Sequence, residues 1–160
     1  MTHAIWTRGS LARAIGLTLL VVAFPAGASA ALGGDVSSVE ADRVGMQGAL
    51  LRIVSSDAYT LHEVQSSSAT TVREYVSSTG VVFAVAWQGP WLPNMRQILG
   101  TYFEAYQRLQ AAPRTRRGRG SIVIDQPDLV VQMSGHPRAF SGRAYVPRLL
   151  PASVPVNIIR

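Results

Sequence analysis

The sequence predicts an α+β fold: an antiparallel β-meander with one main amphipathic helix packed on the sheet, after a cleavable N-terminal signal helix. Three observations lead there. The opening residues divide into a basic start, a short apolar run and a small-residue end. Several strand-like runs follow one another at hairpin spacing. A single long stretch then carries apolar residues at steps of three and four, the signature of a helix with one buried face.

Residues 1–30 read as a signal peptide. Met1 to Arg13 contains Arg8 and Arg13 and no acidic residue, and Ala14 to Phe24 is apolar apart from Thr18. Pro25 and Gly27 break the run before Ala28-Ser29-Ala30, an A-x-A cleavage site. The apolar stretch falls short of the about 20 residues needed to span a bilayer. The expected mature chain, 31–160, is one domain with no transmembrane anchor, periplasmic or secreted. The chain has no cysteine. Disulfides, thiolate nucleophiles and a lipid-modified cysteine are therefore excluded, and the fold depends on its apolar core.

All basic residues apart from histidine are arginine. The net charge of +6 falls to +4 once Arg8 and Arg13 are removed with the signal. Much of the excess sits in Arg114-Thr115-Arg116-Arg117-Gly118-Arg119-Gly120, after Pro113. Guanidinium forks suit phosphate and carboxylate groups, so Arg114, Arg116, Arg117 and Arg119 are candidate binding residues. The plainer reading is a flexible, solvated loop at about 113–120. No aromatic residues interleave with these arginines, as single-stranded nucleic acid would require, and no nucleic-acid partner is expected.

In the mature chain, Ser37 with Glu40 three residues later predicts a capped helix over about Ser38 to Gly48. Strands are predicted at Tyr59–Gln65, Thr70–Ser77 and Val81–Trp87, with Leu51–Ser55 as a possible extra one. Opposing Val64 to Val72 places Glu63 across from Arg73, His62 from Glu74 and Leu61 from Tyr75. Opposing Ser77 to Val81 places Tyr75 across from Phe83, with Val85 and Trp87 on the same core face. His62 and Glu74 then meet on the other, exposed face. Gly80 suits the left-handed position of a three-residue turn.

After the turn Gln88-Gly89-Pro90-Trp91-Leu92-Pro93, the main helix runs through Met95, Ile98, Leu99, Tyr102, Phe103, Tyr106 and Leu109. Strands are again predicted at Ser121–Asp125, Leu129–Ser134 and Arg143–Leu149, the last interrupted by Pro147. The closing residues, with Pro151 and Pro155, read as irregular or edge structure.

The chemistry is sparse. The mature chain has two histidines, His62 and His136, without metal-ligand spacing. No metal and no cofactor is expected. No serine lies in G-x-S-x-G or S-x-x-K. His62 and Glu74 are an alternative acid/base pair for a hydrolase of an envelope polymer or ester, needing a nearby serine. Read plainly, they are a cross-strand polar pair. Glu63 and Glu74 fall on opposite faces and cannot flank one bond. Asp125 and Asp128 bracket a turn. Trp87 and Trp91 are the best binding candidates, as a platform for a sugar ring, a peptide or a protein. The plainer alternative puts both in the core.

The runs Ala31-Leu32-Gly33-Gly34, Tyr59-Thr60-Leu61-His62-Glu63, Val72-Arg73-Glu74-Tyr75-Val76, Val82 to Pro90 and Leu99-Gly100-Thr101-Tyr102-Phe103 resemble a family of bacterial exported proteins, domain of unknown function 2844. The most specific parts are R-E-Y and F-A-V-A-W-Q-G-P. The resemblance implies a proteobacterial envelope protein and carries no catalytic residues. The expectation is a non-enzymatic binding or interaction module whose partner is an envelope protein or glycan. The alternatives are the His62–Glu74 hydrolase and a basic protein that holds anionic lipid or glycan through the arginine loop.

Overall fold

The computed structural model describes residues 32–111 and 121–160. The expected signal segment and the arginine-rich loop with Arg114, Arg116, Arg117 and Arg119 lie outside the described residues. Among the described residues three α-helices, α1 (Ser37–Gly45), α2 (Met95–Leu99) and α3 (Phe103–Gln110), accompany one seven-stranded sheet. Its strands are β1 (Ala49–Ser55), β2 (Tyr59–Gln65), β3 (Thr71–Ser77), β4 (Val82–Gly89), β5 (Ile122–Gln126), β6 (Leu129–His136) and β7 (Ala139–Tyr145). They lie in the order β1-β2-β3-β4-β7-β6-β5, and every neighbouring pair is antiparallel. Two meanders therefore meet at β4 and β7, and the helical crossover after β4 carries the chain to the far edge.

The β2–β3 hairpin has the register predicted from sequence, with Leu61 opposite Tyr75, His62 opposite Glu74, Glu63 opposite Arg73 and Val64 opposite Val72. Gly80 closes the next turn with φ +82°, and the Ser77 N–H donates to the Val81 carbonyl at 2.8 Å. The β3–β4 register then departs from expectation. Val76 opposes Val82, but Tyr75 opposes Ala84, so Phe83 is the extra residue of a β-bulge. Because side chains alternate with period two, the bulge reverses every residue after it. Val85 and Trp87 turn to the face of Val72 and Glu74, whereas Phe83, Ala84 and Ala86 share the face of Tyr75.

The first face is covered by helices. Val64, Val72, Val85, Trp87, Val131 and Ala144 pack there with Val39 of α1, Ile98 and Leu99 of α2 and Tyr106 of α3. The helix predicted as one rod bends at Gly100, whose φ of +50° and ψ of −123° interrupt α2 and α3 through a short 3₁₀ turn. Asn94 caps α2, its Oδ1 accepting the Arg96 N–H at 3.1 Å and that of Gln97 at 3.3 Å. At α1 the predicted Ser37 cap is replaced. Asp35 Oδ1 accepts the Ser37 N–H at 2.9 Å, and Glu40 pairs with Arg43 instead of reaching back to the helix start.

The second face is half covered, by the C-terminal strap after β7. Val154, Ile158 and Ile159 pack on Tyr75, Phe83, Ala84 and Ala86. Tyr59, Tyr75 and Phe83 form an aromatic cluster beneath them, with ring centroids 5.8–6.4 Å apart. The Tyr75 hydroxyl donates to the Ile158 carbonyl at 2.9 Å and accepts from the Arg160 N–H at 3.2 Å. Tyr75→Phe removes these bonds while keeping the ring. The expected loss is about 1 kcal/mol, with faster amide hydrogen exchange at residues 158–160 and unchanged exchange in β2. Equal exchange at the strap would show that packing alone holds it.

Candidate functional site

Beside the strap, the second face of the sheet stays open, and its composition follows from the register. One cross-strand row reads Arg52, Glu63, Arg73, Ala86, Arg143 and Gln132. The next reads Gln65, Thr71, Gln88, Ser141 and Ser134. A charged row thus borders a row of amides and hydroxyls across most of the sheet.

Three hollows follow these rows. One of about 460 Å³ is lined by residues including Gln88, Ser134, Ser141, Arg143 and Arg160. A second, of about 660 Å³, includes Arg52, Tyr59, Arg73, Gln88 and Arg160. The third, of about 350 Å³, includes Gln88, Pro90, Arg138 and Ser141. Gln88 lines all three, so the hollows adjoin one another along the open groove face. No Asp or Glu lines any of them.

The arginines differ in their surroundings. Glu63 is shared, its Oε2 lying 2.6 Å from Arg73 Nε and 3.4 Å from Arg52 Nη2. Among the described residues, the acceptors bonded to Arg143 are neutral. It donates to Gln132 Oε1 at 2.8 and 3.0 Å and to the carbonyls of Val156 and Ile159 at 3.0 and 3.2 Å. Among the described residues no carboxylate lies within ion-pair distance of Arg143 or Arg160. The groove floor thus carries a fixed, half-buried guanidinium with no ion-paired carboxylate among the described residues.

The most perturbed groups lie on the opposite face, beneath the helices. Glu74 of β3 is 1 % exposed, as is Asp42 of α1. Asp42 Oδ1 accepts from Gln97 Nε2 at 2.9 Å, but its Oδ2 and both oxygens of Glu74 meet no donor among the described residues. Two facing carboxyls without a cation must hold a proton between them. Burial, and then the adjacent Asp42 charge, push Glu74 up to about 9, and burial raises Asp42 to about 6. Burial thus favours the neutral, protonated form of Glu74 beside Asp42.

This placement corrects the expected His62–Glu74 surface. The bulge at Phe83 and the cover of α1 and α2 turn that face into an interior. The two residues are register partners, but Glu74 is sealed from solvent and accepts no bond from His62. His62 is half-buried beside Val39 and Arg43 of α1, in a small recess of about 160 Å³, and burial holds its imidazole below the ordinary value. His136 lies on the exposed end of β6.

The two tryptophans also part company. Trp87 is 2 % exposed and packs in the core, where Gly142 leaves room for its ring. The predicted Trp87–Trp91 platform is therefore not formed, because the bulge points Trp87 at the helices. Trp91 is 58 % exposed beside exposed Leu92. Its loop is fixed by Thr70, whose Oγ1 donates to the Trp91 carbonyl at 2.7 Å. A Cβ on Gly89 would stand 2.5 Å from Thr70 Cα, so that position requires glycine. The groove residues Gln88, Ser134, Ser141 and Arg143 were missed by sequence reasoning. The alternation of Gln132 and Ser134 with buried Val131 and Met133 was the one local sign of an open polar face.

Fold and site together define a class: an α+β protein with an antiparallel sheet, helices on one face and a polar, arginine-bordered groove on the other. The family model described as "Protein of unknown function (DUF2844)" matches residues 28–159. The chain belongs to that family. Comparison with curated proteins found no match, and comparison with solved structures found none either.

Proposed function

We propose that the protein is exported and serves as a non-enzymatic binding module of the cell envelope, with the open face of its sheet as the binding surface. The observation that carries this reading is the contrast between the two faces. The groove at Gln88 and Arg143 is open, polar and free of lining carboxylates. The carboxyl pair that resembles acid–base machinery is shut away under α1 and α2. General acid–base catalysis requires a titrating group within hydrogen-bond reach of substrate, and a sealed Glu74 is out of reach. Export rests on the basic, apolar and A-x-A zones of residues 1–30.

Two measurements test the parts separately. After expression of the full chain in a bacterial host, mass spectrometry of the envelope fraction should find a mature chain beginning at Ala31. Uncleaved protein confined to the cytoplasm would contradict export. Incubation with envelope polymers should release no new reducing ends or acids. Time-dependent release that disappears in His62→Ala would replace the binding reading with a hydrolase.

A further inference from the structure

The occupant of the groove is constrained by three features. Its length is the first: hollows of about 460, 660 and 350 Å³ lie side by side, with Gln88 lining each, which suits an extended chain more than a compact small molecule. Its hydrogen-bonding character is the second. Gln65, Thr71, Gln88, Ser141 and Ser134 form a row of groups that both donate and accept. Such groups match a ligand rich in hydroxyls, which likewise donate and accept at every position.

Charge is the third. Arg52, Arg73, Arg143 and Arg160 surround the groove; Arg52 and Arg73 share Glu63, and Arg73 also donates to the Arg160 main-chain oxygen. Guanidinium forks recognise carboxylates bidentately. The tyrosine ring of Tyr59 contributes an apolar wall to the second hollow, of the kind that packs on the faces of sugar rings. A lipid surface fits less well. The large exposed apolar side chains are Val36, Val44, Leu50, Leu51, Ile53, Val54, Trp91 and Leu92, and none of them lines the groove.

We infer that the open face binds an extended, carboxylate-bearing polysaccharide, with its acid groups held by Arg52 and Arg160 beside the fixed charge of Arg143 and its hydroxyls by Gln88, Ser134 and Ser141. The inference rests on the binding-module reading above and names the class of ligand.

The test measures affinity of the purified protein for immobilised polygalacturonate at low and moderate salt, beside dextran, polyphosphate and anionic phospholipid vesicles. Arg143 also holds the strap, so the variant for the charge arm is Arg52→Gln/Arg160→Gln, with Gln88→Leu for the hydroxyl arm. Arg43→Gln, on α1 and paired with Glu40, is the control on the opposite side. The expected result is saturable binding to polygalacturonate, weakened about tenfold or more by each groove variant and unchanged by Arg43→Gln. Dextran should bind weakly, and polyphosphate should be insensitive to Gln88→Leu.

Several outcomes would overturn the inference. Binding indifferent to both groove variants places the ligand elsewhere. Polyphosphate or vesicles bound as tightly, with the same variant pattern, make the face a general anion surface. No binding of polygalacturonate, with another envelope component retained and lost in Gln88→Leu, rejects the ligand class while the binding module stands. Release of reducing ends from polygalacturonate would overturn both.

Discussion

Gly142→Ala is expected to destabilise the protein by about 3 kcal/mol, the upper end of ordinary overpacking. That corresponds to a melting temperature lower by roughly 10 °C for a domain of this size. Gly142 sits on β7, directly opposite Trp87 of β4 and Met133 of β6. A methyl group there would lie 2.3 Å from Trp87 Cζ2 and 2.8 Å from Met133 Cβ. No carbon pair in a packed core tolerates such approach, so the indole or the strand must move. The indole is boxed in by a core cluster that includes Val72, Val85 and Met133. Movement of β7 would also disturb Arg143, the next residue and the floor of the groove. The double variant Trp87→Phe/Gly142→Ala should lose less stability than the two single costs added, because the smaller ring yields the space. Thermal melts of the four proteins check this. A Gly142→Ala protein as stable as the parent, or strictly additive costs, would show that the Trp87 ring is not seated over Gly142.

The second large effect is a loss of stability with rising pH. Glu74 has an ordinary carboxyl value of 4.5 when unfolded and about 9 when folded. Asp42 rises from 3.8 to about 6. A raised folded value means the native state binds the proton more tightly. The stabilisation is therefore complete below the unfolded values and is lost as pH climbs through the folded ones. Asp42 contributes its part by about pH 6. Between pH 6 and 9 Glu74 alone acts, and each pH unit weakens the folding equilibrium by up to roughly tenfold. The groups facing Glu74 do not cancel this. Gln97 is neutral, and burial holds His62 below its ordinary value, toward the uncharged form. The melting temperature should fall on the order of 10 °C from pH 6 to pH 9. Glu74→Gln keeps the shape and supplies an amide donor to Asp42 without a titrating proton, so its profile should be flat across the same range. Equal stability of the parent at pH 6 and pH 9 would mean that the two carboxyls do not share a proton.

Local chemistry made much of the fold legible. The β2–β3 register followed from pairing Val64 with Val72, since opposite charges at Glu63 and Arg73 agree with it. Gly80 marked its turn because few other residues tolerate positive φ. The helical stretch from Met95 was clear from its spacing, whereas the bend at Gly100 was hidden in an unbroken apolar pattern.

What the sequence concealed was the bulge at Phe83. Residues 82–87 are apolar at every position and buried at every position, so alternation carries no information about which side faces which. One extra residue moved Val85 and Trp87 from the face of Tyr75 to the face of Glu74, where they build an apolar interior around it. The groove was concealed for a different reason. Gln88 meets Ser141 and Ser134 only through the β4–β7 pairing, which joins segments separated by a helical crossover. No local pattern announces such a row. The helix cap was a near miss of the same chemistry, since Asp35 rather than Ser37 supplies the accepting oxygen.

The most direct test of the account is amide chemical-shift mapping of the purified protein during titration with polygalacturonate fragments. The account predicts shifts concentrated on Gln88, Ser134, Ser141 and Arg143, with α1 and the His62 recess unmoved. Shifts confined to the Trp91–Leu92 turn, or to the face beneath α1 and α2, would contradict it.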